Sequence, residues 1–418
     1  MDKQRIVITG IGVVAPNGIG KEEFWANCFA GVSGIKPITL FDVSRYPCRY
    51  AGEISNFQPE RYLGPKGLRN LDRTTLLALV AAKEAIEDAG LQIGSGVNAS
   101  GVGIVIGSSH GSIHSISGFD RDGLIGGPQY VNPGTFPNTV MNSPAGQIAI
   151  RFGVKGLNAT ISTGFTAGYD ALQYAMDMLK LGRVKTVIVG SVEELCLETY
   201  FGFWKLGLLA NTPSGTVSIM ERRKHRNQGM LVGEGAAMFV LEVKRGKESE
   251  VAESKYYGEI QGTGSELKAP VALSSFAGNS TIERLMRVAL LTARLQPSQI
   301  GYVCCGMNAL RASDVLEAMA IRRIFFRERP RVAVSCLKSL TGETYSASMS
   351  LQVVLALGAL KYKRTPAVAN RFYPRNGGFP HLALSYGMRS RHVLINGWSD
   401  NGHGASILVS GPEFKMKE

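Results

Sequence analysis

Short runs of β-branched residues alternate along the whole chain with amphipathic helical stretches, and this alternation restricts the fold to an α/β architecture with buried strands. The first series of expected strands covers residues 5–10, 102–106, 159–162, 186–190 and 236–242. A stretch rich in Lys, Glu, Gly and Ser, residues 243–255, reads as a connection. A second series then repeats the grammar, with strands expected at 257–264, 302–305 and 332–335, helices at 280–293 and 314–325, and a closing strand pair at 392–396 and 405–409. The pattern predicts two duplicated halves of low mutual similarity, residues 1–250 and 251–418. With 418 residues, 44% of them hydrophobic, the chain has apolar material for a large two-lobed core.

Composition also narrows the function. No run reaches the roughly 18 apolar residues of a membrane span, and Met1 to Arg5 leads straight into Ile6-Val7-Ile8 without a signal-peptide core, so a cytoplasmic protein without a membrane partner is expected. Cys28, Cys48, Cys196, Cys304, Cys305 and Cys336 show neither metal-ligand spacing nor a disulfide framework, in keeping with a reducing compartment. The formal charge of +13 suits an acidic partner or anionic ligand. The densest basic stretches are 222–226, 322–331 and 361–364, and no aromatic-basic signature of a nucleic-acid module accompanies them, so no nucleic acid is expected. Gly10-x-Gly12 matches a dinucleotide loop only weakly and has no downstream support, so no cofactor is assigned. His110 and His114, spaced as a helical metal pair, lack a third ligand, so no metal is assigned.

The most informative local piece is 158–182. A strand runs through Ser162 into Thr163-Gly164, and apolar residues then recur at helical spacing as Phe165, Tyr169, Leu172, Met176 and Leu179 until Gly182 stops the helix. Residue 165 is thereby placed on a sharp turn at a helix N-terminus, where backbone N–H groups and the helix dipole favour an anion.

The chain resembles the β-ketoacyl-acyl-carrier-protein synthases. The resemblance is carried in order by the opening Arg5 to Gly18, Pro137-Asn138 through Asn142, Gly156-Leu157-Asn158, Ser162 to Gly168, Gly233-Glu234-Gly235-Ala236, Lys338 to Gly342 and the Gly-rich end Asn396 to Ser406. It implies a thiolase-like five-layer α-β-α-β-α fold of two duplicated halves, and a dimer with its acyl tunnel near the subunit interface. It also implies a Cys-His-His site in which the cysteine is acylated and the histidines support decarboxylation and the developing oxyanion. This sequence departs at all three positions. Phe165 stands at the cysteine, Gly306 at the first histidine and Glu343 at the second, while Lys338, Asp314 and Glu317 still match. Phenylalanine has no nucleophile, glycine moves no proton, and a carboxylate would repel an enolate, so condensation is not expected at this site.

The pattern is most similar to the chain-length factors, the β-subunits of type II polyketide ketosynthases, which lack the active cysteine and pair with an active ketosynthase. Many of these carry Gln where this chain has Phe165, which leaves systems making polyenes or other reduced acyl chains open beside the aromatic branch. The resemblance implies an active ketosynthase subunit as partner, and acyl carrier protein reached through it. Tunnel and interface positions fall on Ser109, Ser112, Ile113, Ile116 and Phe136, within a segment 108–116 and a following stretch that includes Met141. Two other readings stay open: a diverged acyltransferase using Cys304, Cys305 or Glu343, and a non-catalytic homodimeric scaffold. His403 and Asp400 fall in the loop that gates the family's pocket.

Overall fold

In a computed structural model of the chain the described residues are 4–94, 98–211, 229–244, 256–267, 279–325, 332–366, 387–388, 390–399 and 402–412. Most of the expected connection 243–255, the basic stretch 222–226, the end of the basic stretch at 326–331, and Asp400 lie outside them.

Ten strands run in chain order as β1 (Arg5–Ala15), β2 (Val102–Gly107), β3 (Asn158–Ile161), β4 (Thr186–Glu193), β5 (Gly235–Lys244), β6 (Gly258–Leu267), β7 (Tyr302–Cys304), β8 (Ala333–Ser335), β9 (His392–Trp398) and β10 (His403–Ser410). They form one continuous hydrogen-bonded order, β8-β7-β9-β10-β6-β1-β5-β4-β2-β3, with the short strand Gly18–Ile19 added to β1. The pairing sense is the same in both sets of five. β2 is parallel to β3 and β4, and β5 is antiparallel to β4 and β1; likewise β7 is parallel to β8 and β9, and β10 is antiparallel to β9 and β6. The two sets join where β1 pairs antiparallel with β6, at Val7 with Glu259 and Ile8 with Gly258.

Nine helices matter here: α1 (Lys21–Ala30), α2 (Arg73–Asp88), α3 (Ile113–Gly126), α4 (Ser143–Phe152), α5 (Ala167–Lys180), α6 (Leu197–Lys205), α7 (Asn279–Ala293), α8 (Arg311–Phe325) and α9 (Ser346–Tyr362). Side chains alternate across each strand, so each half of the sheet has two apolar faces to cover. On one outer face Leu77, Val80, Ala81 and Ile86 of α2, with Ala145 and Ile148 of α4, pack on Val102, Ile104, Ile188 and Met238. On the other, Ile282, Leu285, Met286 and Ala289 of α7 and Ile321 and Ile324 of α8 pack on Val303, Val334, Leu394 and Leu408. Between the halves, α5 and α9 fill a core with Val105, Val187, Phe239, Tyr302, Val393 and Ile407, which completes the α-β-α-β-α layering. The α9 segment is buried from Ser346 through Leu360, as a helix between two sheets must be, with Ser346, Ser348, Ser350 and Gln352 hydrogen-bonded among its apolar residues. The indole of Trp25 donates to Val354 O at 2.7 Å and ties α1 to this central helix.

A pair of glycines seats the first outer helix in each half. A Cβ on Gly10 or Gly12 would lie 2.2 Å from Ala85 O or 1.9 Å from Ala81 O of α2. On Gly262 or Gly264 it would lie 2.2 Å from Ala289 O or 2.6 Å from Leu285 O of α7. Gly10-x-Gly12 is therefore a helix-seating device within a strand.

Candidate functional site

The chain leaves β3, turns through Gly164 at φ +81°, and enters α5 at Ala167. Phe165 occupies that elbow and is 6% exposed. Its ring lies 5.2 Å from that of Tyr345 and 5.9 Å from that of Phe203, and the latter two stack at 5.2 Å. The His110 imidazole meets Tyr345 edge-on at 4.9 Å and Phe203 at 6.0 Å. Four rings from the 108–112 loop, the elbow, α6 and the start of α9 thus fill the space in front of the turn. Such offset and edge contacts add about 0.5–1.5 kcal/mol each beyond area burial. Tyr345 holds φ +49° and ψ −121°, a region that disfavours L side chains, so packing against this box maintains a strained backbone.

The elbow N–H is also committed. Phe165 N donates to the buried Ser399 Oγ at 3.2 Å. An amide in this position is the donor an acyl-transfer site would aim at an oxyanion; here a hydroxyl of the neighbouring loop occupies it.

Gly306, Lys338 and Glu343 form one buried network. Lys338 Nζ reaches Glu343 Oε2 at 2.7 Å and donates to Gly306 O at 3.0 Å. The carboxylate also accepts from Asn308 Nδ2 at 3.1 Å, Tyr345 N at 3.0 Å and Ser348 Oγ at 2.8 Å. Burial by itself pulls the Lys338 ammonium down, and Glu343 more than offsets it, leaving the lysine above its ordinary value. With four donors on its two oxygens, Glu343 is a structural counter-ion. Gly306 N donates to both oxygens of Glu317, at 3.0 and 3.1 Å. A Cβ at 306 would lie 2.8 Å from Trp398 Nε1 and 2.9 Å from its Cδ1, so the indole stands where a side chain at 306 would go. Burial raises Asp314 to about 7, where it receives Asn308 N and Ala309 N.

Tyr345 joins the two groups, touching Phe165 through its ring and Glu343 through its N–H. The structure therefore brings Phe165, Gly306, Lys338 and Glu343 to one site. Cys304 and Cys305 are fully buried in the cores. Burial pushes the Cys304 thiol up to about 12 and Cys305 well above its ordinary value, so neither is poised as a thiolate.

The expected tunnel positions separate. Ser109 Oγ donates to Gly164 O at 2.9 Å and so touches the elbow. Ser112 is buried, its hydroxyl donating to Asp72 Oδ1 at 2.8 Å. Ile113 and Ile116 are half-buried on α3, and Phe136 is 56% exposed with its ring 5.8 Å from Phe119. No residue of α3 is buried in this chain; Leu124 and Ile125 are 87% and 81% exposed, and Tyr130, Val140 and Ile150 are exposed nearby in sequence. His110 precedes α3 instead of sharing a helix with His114; it lies 3.4 Å from Glu193, whereas His114 meets Glu198 at 3.2 Å. Among the described residues no group of three or more His, Cys, Asp or Glu is arranged to hold a metal.

Phe203, Tyr345 and the Ser399 hydroxyl were not legible as site residues. Their distance in sequence from Phe165 leaves two local signals, the aromatic run Tyr200-Phe201-Gly202-Phe203-Trp204 and, for Ser399, its place in the Gly-rich end Asn396 to Ser406.

Two sheet halves of identical pairing around a central helix layer, with an elbow at the N-terminus of one central helix, define a thiolase-like condensing-enzyme fold. Residues 3–246 match the family described as β-ketoacyl synthase, N-terminal domain, and 257–371 match the β-ketoacyl synthase C-terminal domain. The chain belongs to the β-ketoacyl synthase family. It is 30% identical over 415 residues to the 3-oxoacyl-[acyl-carrier-protein] synthase 2 of Coxiella burnetii, spanning 98% of this chain and 99% of that protein. It is 29% identical to the synthase of the same name from Vibrio cholerae, spanning 98% and 99%. Among solved structures, the ishigamide ketosynthase/chain length factor superposes with a TM-score of 0.85 at 24% identity, covering 98% of this chain and 99% of that one. A type II PKS acyl-carrier protein in complex with its ketosynthase bound to the hexaketide superposes at 0.82 and 21% identity, again covering 98% and 99%. At these identities the structural likeness speaks for the fold. No helix of the described residues is long and apolar enough to cross a membrane.

Proposed function

We propose that this chain is a non-condensing ketosynthase-fold subunit, of the chain-length-factor kind, that pairs with an active β-ketoacyl synthase and helps shape the acyl tunnel at their shared interface during polyketide or fatty-acyl chain building. The observation that carries the reading is Phe165: the elbow position holds a packed phenyl ring, and its N–H is engaged by Ser399. Two further features agree with it. Trp398 occupies the space beside Gly306, and Glu343 is engaged by Lys338, so neither of these two positions offers a group to activate a malonyl extender. The exposed Leu124 and Ile125 of α3, beside the half-buried Ile113 and Ile116 and with the exposed Phe136 beyond the helix, suit burial by a second ketosynthase-fold subunit. Acyl carrier protein is reached through the partner, and the positive charge of this chain favours an acidic carrier.

Co-expression with a candidate active ketosynthase tests the reading. A stable 1:1 heterodimer that elongates an acyl chain only when both subunits are present supports it. A homodimer that ignores the ketosynthase, or elongation by this chain alone, overturns it.

A further inference from the structure

One turn into α5, a second set of polar side chains converges on His403. Its Nε2 lies 2.8 Å from Ser265 Oγ, on the exposed end of β6. Its Nδ1 lies 2.7 Å from Thr166 Oγ1 and 3.6 Å from Asp170 Oδ2. Asp170 in turn accepts from the Thr163 hydroxyl. The buried Tyr169 phenol, pushed up to about 12 by burial and therefore protonated, is in hydrogen-bond contact with Thr263 and Ser265. One imidazole nitrogen faces an exposed hydroxyl; the other is hydrogen-bonded to the Thr166 hydroxyl, with the partly buried Asp170 carboxylate just outside hydrogen-bond reach at 3.6 Å. A histidine held at Nδ1 by a hydroxyl can take a serine proton at Nε2, and a carboxylate 3.6 Å away stabilises the imidazolium that forms.

We propose that Ser265, His403 and Asp170 form a hydrolytic centre for acyl thioesters and activated esters, with Ser265 as nucleophile, His403 as general base and Asp170 as the nearby charge that stabilises the imidazolium. Ser265 Oγ adds to the acyl carbonyl carbon while its proton passes to His403 Nε2. The C–S bond then breaks, and the sulfur leaves as a thiol carrying that proton. Water, giving a proton to His403, adds to the acyl-serine; the ester C–O bond breaks, the carboxylic acid leaves and Ser265 regains its proton. No carbon–carbon bond forms, so the centre is independent of condensation, and its failure would leave the proposed function standing.

The test uses the purified full chain with p-nitrophenyl butyrate and an alkyl fluorophosphonate. The expected result is a fluorophosphonate adduct located at Ser265 by peptide mass spectrometry, with ester turnover that Ser265→Ala abolishes together with the adduct. His403→Gln should lower turnover by about 100-fold or more, and Asp170→Asn should lower kcat with KM unchanged, each with an unaltered melting curve. Absence of an adduct at Ser265, or turnover surviving in Ser265→Ala, would overturn the proposal and leave His403 as a tie between β6 and α5.

Discussion

At position 165 the decisive fact is what surrounds the side chain. A thiol placed there would meet an elbow N–H that faces Ser399, an indole of Trp398 in the space beside Gly306, and a Glu343 bound to Lys338. Phe165→Cys is therefore expected to show no condensation when assayed alone with acyl and malonyl thioesters; measurable elongation would refute this account of the pocket. The buried ion pair makes a separate prediction. Lys338→Met leaves the Glu343 carboxylate buried without its cation, so urea unfolding should show a loss of about 3–5 kcal/mol, most of it recovered when Glu343→Leu is added. The positions of Phe165, Gly306 and Glu343 were legible in the sequence because each sits in a local motif. Their partners were not, since Phe203, Tyr345 and Trp398 reach the site only through the fold.

Among the elements, the strands were the easiest to read, because buried strands in a layered α/β protein are nearly continuous β-branched runs. β2, β3, β7 and β8 lie within a residue or two of the expected spans, whereas β4 runs three residues past its expected end and β1 continues through Gly10 and Gly12 to Ala15. A dinucleotide-loop reading of that pair is settled by packing, since α2 rests its backbone on the two glycines. Helix α3 is the element whose sequence makes least sense in an isolated chain: it carries Ile113, Ile116, Phe119, Leu124 and Ile125 and buries none of them fully. Leu124→Asp with Ile125→Asp is expected to leave the melting temperature of the isolated chain unchanged within about 2 °C while preventing co-elution with the ketosynthase partner, read by size-exclusion chromatography. Retained co-elution would remove α3 from the interface.

For the whole molecule, the duplication was visible as a repeated order of strands and helices, and the structure gives it a stricter form in the shared pairing order and the two glycine pairs. Charge acts at this scale as well. Burial raises Asp314 to about 7, Glu84 to about 7 and Glu194 to about 8. Each of these carboxyls keeps its proton in the folded chain to a higher pH than in the unfolded chain, where the ordinary values are 3.8 for Asp and 4.5 for Glu. Between about pH 4 and pH 8 the folded state therefore binds more protons, and stability should fall as pH rises through that window. Asp314→Asn should make the slope shallower without abolishing it, as urea midpoints across the window would show; an unchanged slope would mean that Asp314 is already ionised in the folded state. The central claim concerns carbon–carbon bond formation. Mass spectrometry of carrier-bound products should be run on this chain alone, the ketosynthase alone and the pair, each supplied with acyl and malonyl carriers. Elongated acyl chains are predicted from the pair and none from this chain alone; an extended chain made by the isolated subunit would contradict the account.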